Sequence, residues 1–417
     1  MTSMKWISRS ILILSCLFIT IPSISQNSVQ KDSVQTIISP EPQKDIGDVI
    51  QSLFKKHNEK PVELNSDLTV KQPLGPFNSW LIYPGYALVT SYQAVFAGDI
   101  SFYADISSDR KISDIFLYSV YTAHKQWVEA VYTNIWTKHN HINLSGDWRY
   151  YKFPTYTYGL GSESTKKKSD KIDYSYFRFY EAAMFSVRKN VNFGLGYNLD
   201  SYWNITKGEH DSITGIYGMD IYGFKTKSFS SGITLNVQYD NRLNINNPQN
   251  GSYANIQFRQ NLTLLGSDNN WASMIIDLRH YIPFPDHPGN IIAFWSYNWL
   301  TIKGIPPYLD LPSTGWDTNN STGRGYVEGR FRGTNLVYLE TEYRYPITKN
   351  GLFGGVVFIN SSSLTEQHES QFSKINFGTG FGLRIKINKQ SNTNLAIDYG
   401  FGAEGSRGFF FNLNEVF

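Results

Sequence analysis

The chain has 417 residues and a formal charge of +3, too small and too scattered an excess of Lys and Arg to argue for a nucleic-acid partner. Charged residues make up 18% and aromatics 16%, with 28 Tyr, 27 Phe and 33 Gly, a bias toward strands, interfacial rings and turns rather than helices. Length alone would fit two or three ordinary domains, but a membrane barrel uses roughly 20 residues per strand plus connection, so length does not settle the domain count.

Residues 1–25 carry Lys5 and Arg9, an apolar run over 11–21, then Ser23 and Ser25, which predicts a secretory signal peptide. Cys16 within it is the sole cysteine. Ile13, Leu14 and Ser15 before it loosely resemble a lipoprotein signal, although cleavage there would leave a very short apolar region. The exported chain is then free of cysteine, which excludes a disulfide scaffold and a thiolate metal site.

Residues 26–78 read as a periplasmic linker punctuated by Pro40, Pro42, Pro61 and Pro73. One short amphipathic helix is expected within it. Asp45 can cap it, Ile46, Val49, Ile50, Leu53 and Phe54 form one apolar stripe, and Lys55 and Lys56 suit its last turn. Such a helix closes the periplasmic mouth or lies on the membrane, and residues 45–57 also offer a surface for a periplasmic partner. Beyond the signal, no run of about 18 apolar residues is present to span a bilayer as a helix.

Residues 79–417 are a succession of alternating runs broken by Gly, Asn, Asp and Lys. They fall at 114–122, 128–138, 174–187, 191–203, 232–239, 252–264, 273–282, 291–302, 335–347 and 352–360. The cleanest is 375–388, where Ile375, Phe377, Phe381, Leu383, Ile385 and Ile387 alternate with polar residues and glycines, as a strand between lipid and water requires. Two more follow, at 394–402 and 408–417, while residues 80–106 are harder to divide. The expected fold is an all-β membrane protein, a closed antiparallel transmembrane β-barrel of about 16 strands, since closure favours an even number.

The most informative stretch joins an arginine-bearing loop to a strand. Gly323, Arg324, Gly325 and Tyr326 precede a segment in which Val337, Leu339, Tyr343, Tyr345 and Ile347 share one side and Glu340, Glu342 and Arg344 the other. One side suits lipid and the other a wet interior, so the loop is expected to fold inward and meet carboxylates there. The terminal Gly400, Gly402, Gly405 and Gly408 would bend or weaken a final hairpin or simply make turns. Phe409, Phe411, Leu413 and Phe417 are read as one face of the last strand.

Several segments, in this order, resemble the barrel domain of the BamA/TamA-type bacterial surface antigen superfamily. They are Asp240, Asn241, Arg242 with Pro248 and Gly251; the run Pro307, Tyr308, Leu309, Asp310, Leu311, Pro312; Arg324, Gly325, Tyr326; Gly329, Arg330, Phe331, Arg332, Gly333; Glu342, Tyr343, Arg344, Tyr345, Pro346; Gly380, Phe381, Gly382, Leu383, Arg384; Ile397, Asp398, Tyr399, Gly400; and Gly408, Phe409, Phe410, Phe411. The resemblance implies an outer-membrane barrel that inserts or exports proteins, or handles lipids, without a cofactor or metal. Its partners would be outer-membrane lipids and client proteins. It further implies that Arg324 pairs with Glu342, that Gly325 gives the loop room and Tyr326 packs its tip, and that a terminal Phe417 serves as an assembly signal.

The chain departs from the family pattern at Asn360, where a second acidic residue is common. An amide brings no charge, so the clamp should be looser, or Glu340 or Asp398 should substitute. The residues between signal and barrel are also too few for a periplasmic POTRA module, which points to a POTRA-less branch.

Two other classes remain open to the same residues. In a passive channel or receptor the inner polar residues form a path and the loop a constriction. Without the family match, Arg324 reads as a surface arginine in an ordinary ion pair of little worth. A barrel enzyme finds thin support: His139 and His141 lack an acidic partner, Ser145, Gly146 and Asp147 lack a nucleophile elbow, His280 with Asp277 reads as a strand-end pair, and residues 159–165 lack phosphate-loop spacing.

Overall fold

The computed structural model describes residues 42–54, 74–87, 91–107, 110–208, 218–284, 286–318, 320–366 and 371–417. The expected signal peptide, most of the linker, Lys55 and Lys56 lie outside those residues.

Among the described residues, one antiparallel sheet of 17 strands accounts for nearly all regular structure. The first half comprises β1 (Phe77–Ala87), β2 (Ser91–Tyr103), β3 (Ile112–Thr122), β4 (Trp127–Trp136), β5 (Ile142–Lys152), β6 (Thr155–Thr157), β7 (Asp170–Arg188), β8 (Val191–Lys207) and β9 (Ser228–Asp240). The second half comprises β10 (Gly251–Asn261), β11 (Trp271–Pro283), β12 (Ile291–Lys303), β13 (Asn335–Pro346), β14 (Phe353–Leu364), β15 (Asn376–Asn388), β16 (Thr393–Gly402) and β17 (Arg407–Leu413). The strand count exceeds the expected number for a simple reason. β5 and β6 pair successively with the long β7, Lys152 opposite Ser175 and Thr155 opposite Ile172. Pro154 between them has no N–H to donate, and the ladder breaks there. β5 itself escaped the sequence reading.

The side-chain distribution is inverted relative to a protein in water. Along β9, Ile233, Leu235, Val237 and Tyr239 are exposed, while Thr234, Asn236, Gln238 and Asp240 are buried. The same holds on β15, where Phe377, Phe381 and Leu383 are exposed and Arg384 and Lys386 are buried. Period-two alternation puts each set on one face of the sheet, and an apolar outer face of this extent would be costly in water. No described helix is long and apolar enough to cross a membrane.

The sheet curls until β1 stands beside β17, with the rings of Tyr83 and Phe411 at 5.6 Å. At one end of the curl the turn 241–250 folds across. Asn244 Nδ2 donates to Ser391 O at 2.8 Å, Asn392 Nδ2 donates to Asn247 O at 3.4 Å, and Asn246 Nδ2 donates to Ser101 Oγ at 3.1 Å. The short helix α1 (Ile46–Phe54) docks on the rim at that same end. Lys44 N donates to Asn350 O at 3.0 Å, and Lys389 Nζ bridges both Asp48 oxygens at 2.7 Å. Asp45 and Asp48 cap each other's backbone N–H, which is why the helix starts where it does. Its Ile50 and Leu53 face outward, exposed.

Candidate functional site

Between β12 and β13 the chain returns into the space the sheet encloses, and its own polar groups fold it. Asp317 accepts the backbone N–H groups of Ser321 at 3.0 Å and Thr322 at 2.7 Å, forming a compact tip. Arg332 Nη1 gathers the carbonyls of Tyr308 at 3.2 Å and Leu309 at 3.0 Å. Gly323 and Gly325 adopt φ of +82° and +106°, where a side chain would be strained, and this turn aims Arg324 at the wall.

Arg324 is 1% exposed and meets three carboxylates. Its Nη2 donates to Glu340 and Glu342 of β13, its Nη1 to Asp398 of β16 at 2.6 Å. The guanidinium also lies over the Phe358 ring, 3.8 Å from its centre. The contact with Glu342 therefore comes together with Glu340 and Asp398 rather than with either as a substitute. Asn360 plays a part that charge reasoning misses: its Nδ2 donates to the backbone carbonyl of Arg324 at 2.9 Å. An amide is the right group there because a carboxylate has no proton to give.

The glycines of β15 and β16 form a floor for this loop. A Cβ on Gly378 would come within 2.6 Å of Arg324 O, and one on Gly400 within 2.6 Å of Gly325 N. On Gly402 it would meet the Tyr326 ring at 2.7 Å. The expected roles of Gly400 and Gly402, bending a seam or making a turn, thus give way to close backbone approach, while Gly405 does sit in a turn at φ +68°. Tyr326 completes the seat: its hydroxyl donates to Phe377 O at 2.5 Å and accepts Ala403 N–H at 2.9 Å.

The opposite wall holds the same loop through Arg149 of β5, which the sequence did not single out. Its guanidinium donates to Asp317 O at 3.2 Å, Thr318 O at 2.9 Å and Asn320 Oδ1 at 2.8 Å, while Asp147 balances its charge at 2.6 Å. Arg330 makes a third tie, donating to Ser164 O at 2.7 Å and Glu404 at 3.0 Å. Burial raises the Glu404 carboxyl, but the Lys166 N–H and Arg330 outweigh it and hold it below the usual range. Between loop and wall remains a cavity of about 490 Å³, lined by Tyr132, Arg178, Tyr253, Arg279, Tyr297 and Glu328 among others.

The ion network continues past Arg324 to the end of the chain. Arg384 bridges Asp398 at 2.5 Å and Glu415 at 2.7 Å, and Arg344 bridges Glu342 at 2.8 Å. Arg344 Nη2 also donates to Phe417 O at 2.9 Å. Phe417 does not share a face with Phe409 and Phe411. β17 stops at Leu413, Asn414 turns at φ +78°, and residues 415–417 leave the wall for the interior, where the Phe417 ring stacks on Trp295 at 5.1 Å. Phe409 stays exposed outside, and Gly408 faces inward beside it.

A family model, described as the Omp85 superfamily domain, matches residues 116–417. The chain belongs to the Omp85 superfamily. Solved structures with a similar fold include BamA from Haemophilus ducreyi lacking POTRA domains 1-3, with 14% identity and a TM-score of 0.50, over 81% of this chain and 68% of that one. CdiB from Acinetobacter baumannii gives 14% and 0.50 over 81% of this chain, and CdiB from Escherichia coli 11% and 0.52 over 82%. This chain spans 60% and 63% of the length of those two CdiB chains. No curated protein matches the sequence. As a superfamily member with these neighbours, the chain is an outer-membrane β-barrel.

In this Omp85 chain the residues weighed for catalysis are dispersed. His280 Nδ1 pairs with Ser252 Oγ at 2.7 Å, not with Asp277, which is taken by Arg279 at 2.7 Å and Trp295 Nε1 at 2.9 Å. Ser145 and Asp147 lie within β5, the latter occupied by Arg149 and Arg178. His139 faces Asp105 at 3.5 Å in an exposed turn. Among the described residues no group of His, Cys, Asp and Glu is arranged to hold a metal ion.

Proposed function

We propose that this protein is an integral outer-membrane assembly or translocation factor, acting on client proteins or lipids without a cofactor. Its barrel is closed, with sixteen staves once β5 and β6 are counted as one stave, as their successive pairing with β7 supports. One observation carries the reading. Consecutive strands share a register of backbone pairs, whereas among the described residues β1 and β17 meet through side chains such as Tyr83 and Phe411. An edge joined this way can part, and an exposed strand edge can template a client strand by β-augmentation. The loop seated by Arg324 and Arg149 keeps the rest of the wall in shape while the seam opens. Loop, folded-in turn and C-terminal segment occupy much of the interior, which disfavours a passive conduit.

Clients enter from the periplasmic side, where α1 lies near the lipid headgroups and residues 45–57 serve as the docking segment for a periplasmic partner. The test is depletion in cells with quantification of outer-membrane proteins and lipids, combined with the pair Tyr83→Cys and Phe411→Cys joined by a short thiol crosslinker that carries a cleavable disulfide. The crosslink across the seam should block function until reductant is added. Unchanged outer-membrane composition on depletion, or full function with the seam locked, would overturn the proposal.

A further inference from the structure

The segment after β17 is held like a ligand rather than like a strand. Its last backbone bond to a strand is Asn414 N–H to Asn394 O at 2.7 Å, after which the chain turns inward and Glu415 N–H donates to Asn246 O of the folded-in turn at 2.8 Å. Glu415 then places one oxygen 2.7 Å from Arg384 Nε and the other 2.7 Å from Asn394 Nδ2. Val416 is fully buried, and Phe417 lies against Trp295 and, at 6.3 Å between ring centres, Tyr281.

The recess that receives it is built by other parts of the sheet. Arg384 is fixed by Asp398 at 2.5 Å, Arg344 by Glu342 at 2.8 Å, and Trp295 by Asp277 at 2.9 Å. These partners belong to β11, β13 and β16, so the recess keeps its shape when the segment leaves. Two of its polar groups remain unused. Arg344 Nη1 and the Tyr281 hydroxyl are buried without a hydrogen-bond partner, and a buried donor left unpaired costs free energy. The chain's own segment therefore does not exhaust what the recess can bind.

We propose that this recess is a binding site for a peptide segment of the form acidic, any residue, aromatic, and that residues 415–417 occupy it in cis until a client segment displaces them. The carboxylate goes to Arg384, the ring to the Trp295 face, and the main-chain oxygen of the aromatic residue to Arg344 with a free donor to spare. The inference rests on the assembly reading above, because it supplies a first docking point for an incoming client strand close to the β17 end of the seam.

The experiment uses the purified full chain in detergent carrying both Glu415→Gln and Phe417→Ala, and separately a chain lacking residues 415–417. The probe is a labelled hexapeptide copying residues 412–417, followed by fluorescence anisotropy, with heat-modifiable gel mobility reporting the folded barrel. Both altered chains should bind the peptide, and the wild-type chain at least about tenfold more weakly because its site is filled. Replacing Glu by Gln or Phe by Ala in the peptide should each weaken binding about tenfold. Folded variants that do not bind, or that bind the altered peptides equally well, would overturn the proposal. Peptide binding without an outer-membrane defect on depletion sinks the assembly reading alone; a defect without peptide binding sinks the recess alone.

Discussion

Gly400 and Gly325 touch backbone to backbone: a methyl group at position 400 would lie 2.6 Å from the Gly325 nitrogen. Neither side can yield, because one belongs to a paired strand and the other to a loop gripped on two walls. Gly400→Ala should therefore push the loop off its seat and cost about 1–3 kcal/mol, the range for overpacking. Urea unfolding of the purified barrel measures it, and an unchanged midpoint would show that the contact is soft.

Arg324→Ala removes the cation shared by three buried carboxylates. Arg344 and Arg384 still cover Glu342 and Asp398, which leaves Glu340 with the Tyr338 hydroxyl alone. A loss of about 3–5 kcal/mol is expected, as for breaking a buried pair from one side. Arg324→Lys should recover only part, since a single ammonium cannot reproduce the planar fork. Protease sensitivity of the loop gives a second readout, and wild-type resistance in both variants would refute the clamp.

Asn360→Asp introduces the acidic residue that the family resemblance leads one to expect, yet here it should destabilise. The substitution removes the proton donated to Arg324 O and sets a carboxylate against a carbonyl. A cost of about 1–3 kcal/mol is expected by the same unfolding assay. A gain in stability would mean that the arginine still has charge to spare.

Docking of α1 should be sensitive to acid. Lys389 and the Asp45 N–H hold the Asp48 carboxyl below its ordinary value of 3.8. A lowered carboxyl contributes stability that is present above its unfolded value and is lost as pH falls through the folded one. The helix should thus stay docked at neutral pH and detach below about pH 3.8, and in Asp48→Asn it should already be loose at neutral pH. The distance between labels at Ser52 and Lys349 reports this; a separation that ignores both pH and the substitution would count against the ion pair as the tether.

Strands with an apolar outer face were legible because lipid imposes a strict period of two, as at 375–388. β5 was not. Its inward residues Asn143, Ser145, Asp147 and Arg149 are all polar and its outer face includes Gly146, so the run reads as a polar turn until the facing loop is seen. An inward loop ahead of a strand carrying carboxylates was legible in the residues, and the family resemblance named Arg324 with Glu342 as the pair. Arg149 could not be anticipated, since its partners lie some 170 positions away and nothing local marks them. The glycines show the same limit: sequence reports that a side chain is missing but not whether a turn, a bend or another backbone fills the space. Phe417 misled in the opposite direction, its spacing from Phe411 fitting a continuing strand that Asn414 ends.

A loop gripped by Arg149 at one end and Arg324 at the other works as a strut across the sheet, fixing the chord between β5 and the region of β13 to β16. Tension applied to the wall cannot widen that chord without breaking buried ion pairs at the Arg324 end or buried charge-assisted hydrogen bonds at the Arg149 end. Any added width must then appear away from the loop, toward β1 and β17, which share no backbone register among the described residues, so the strut helps decide where the sheet gives way.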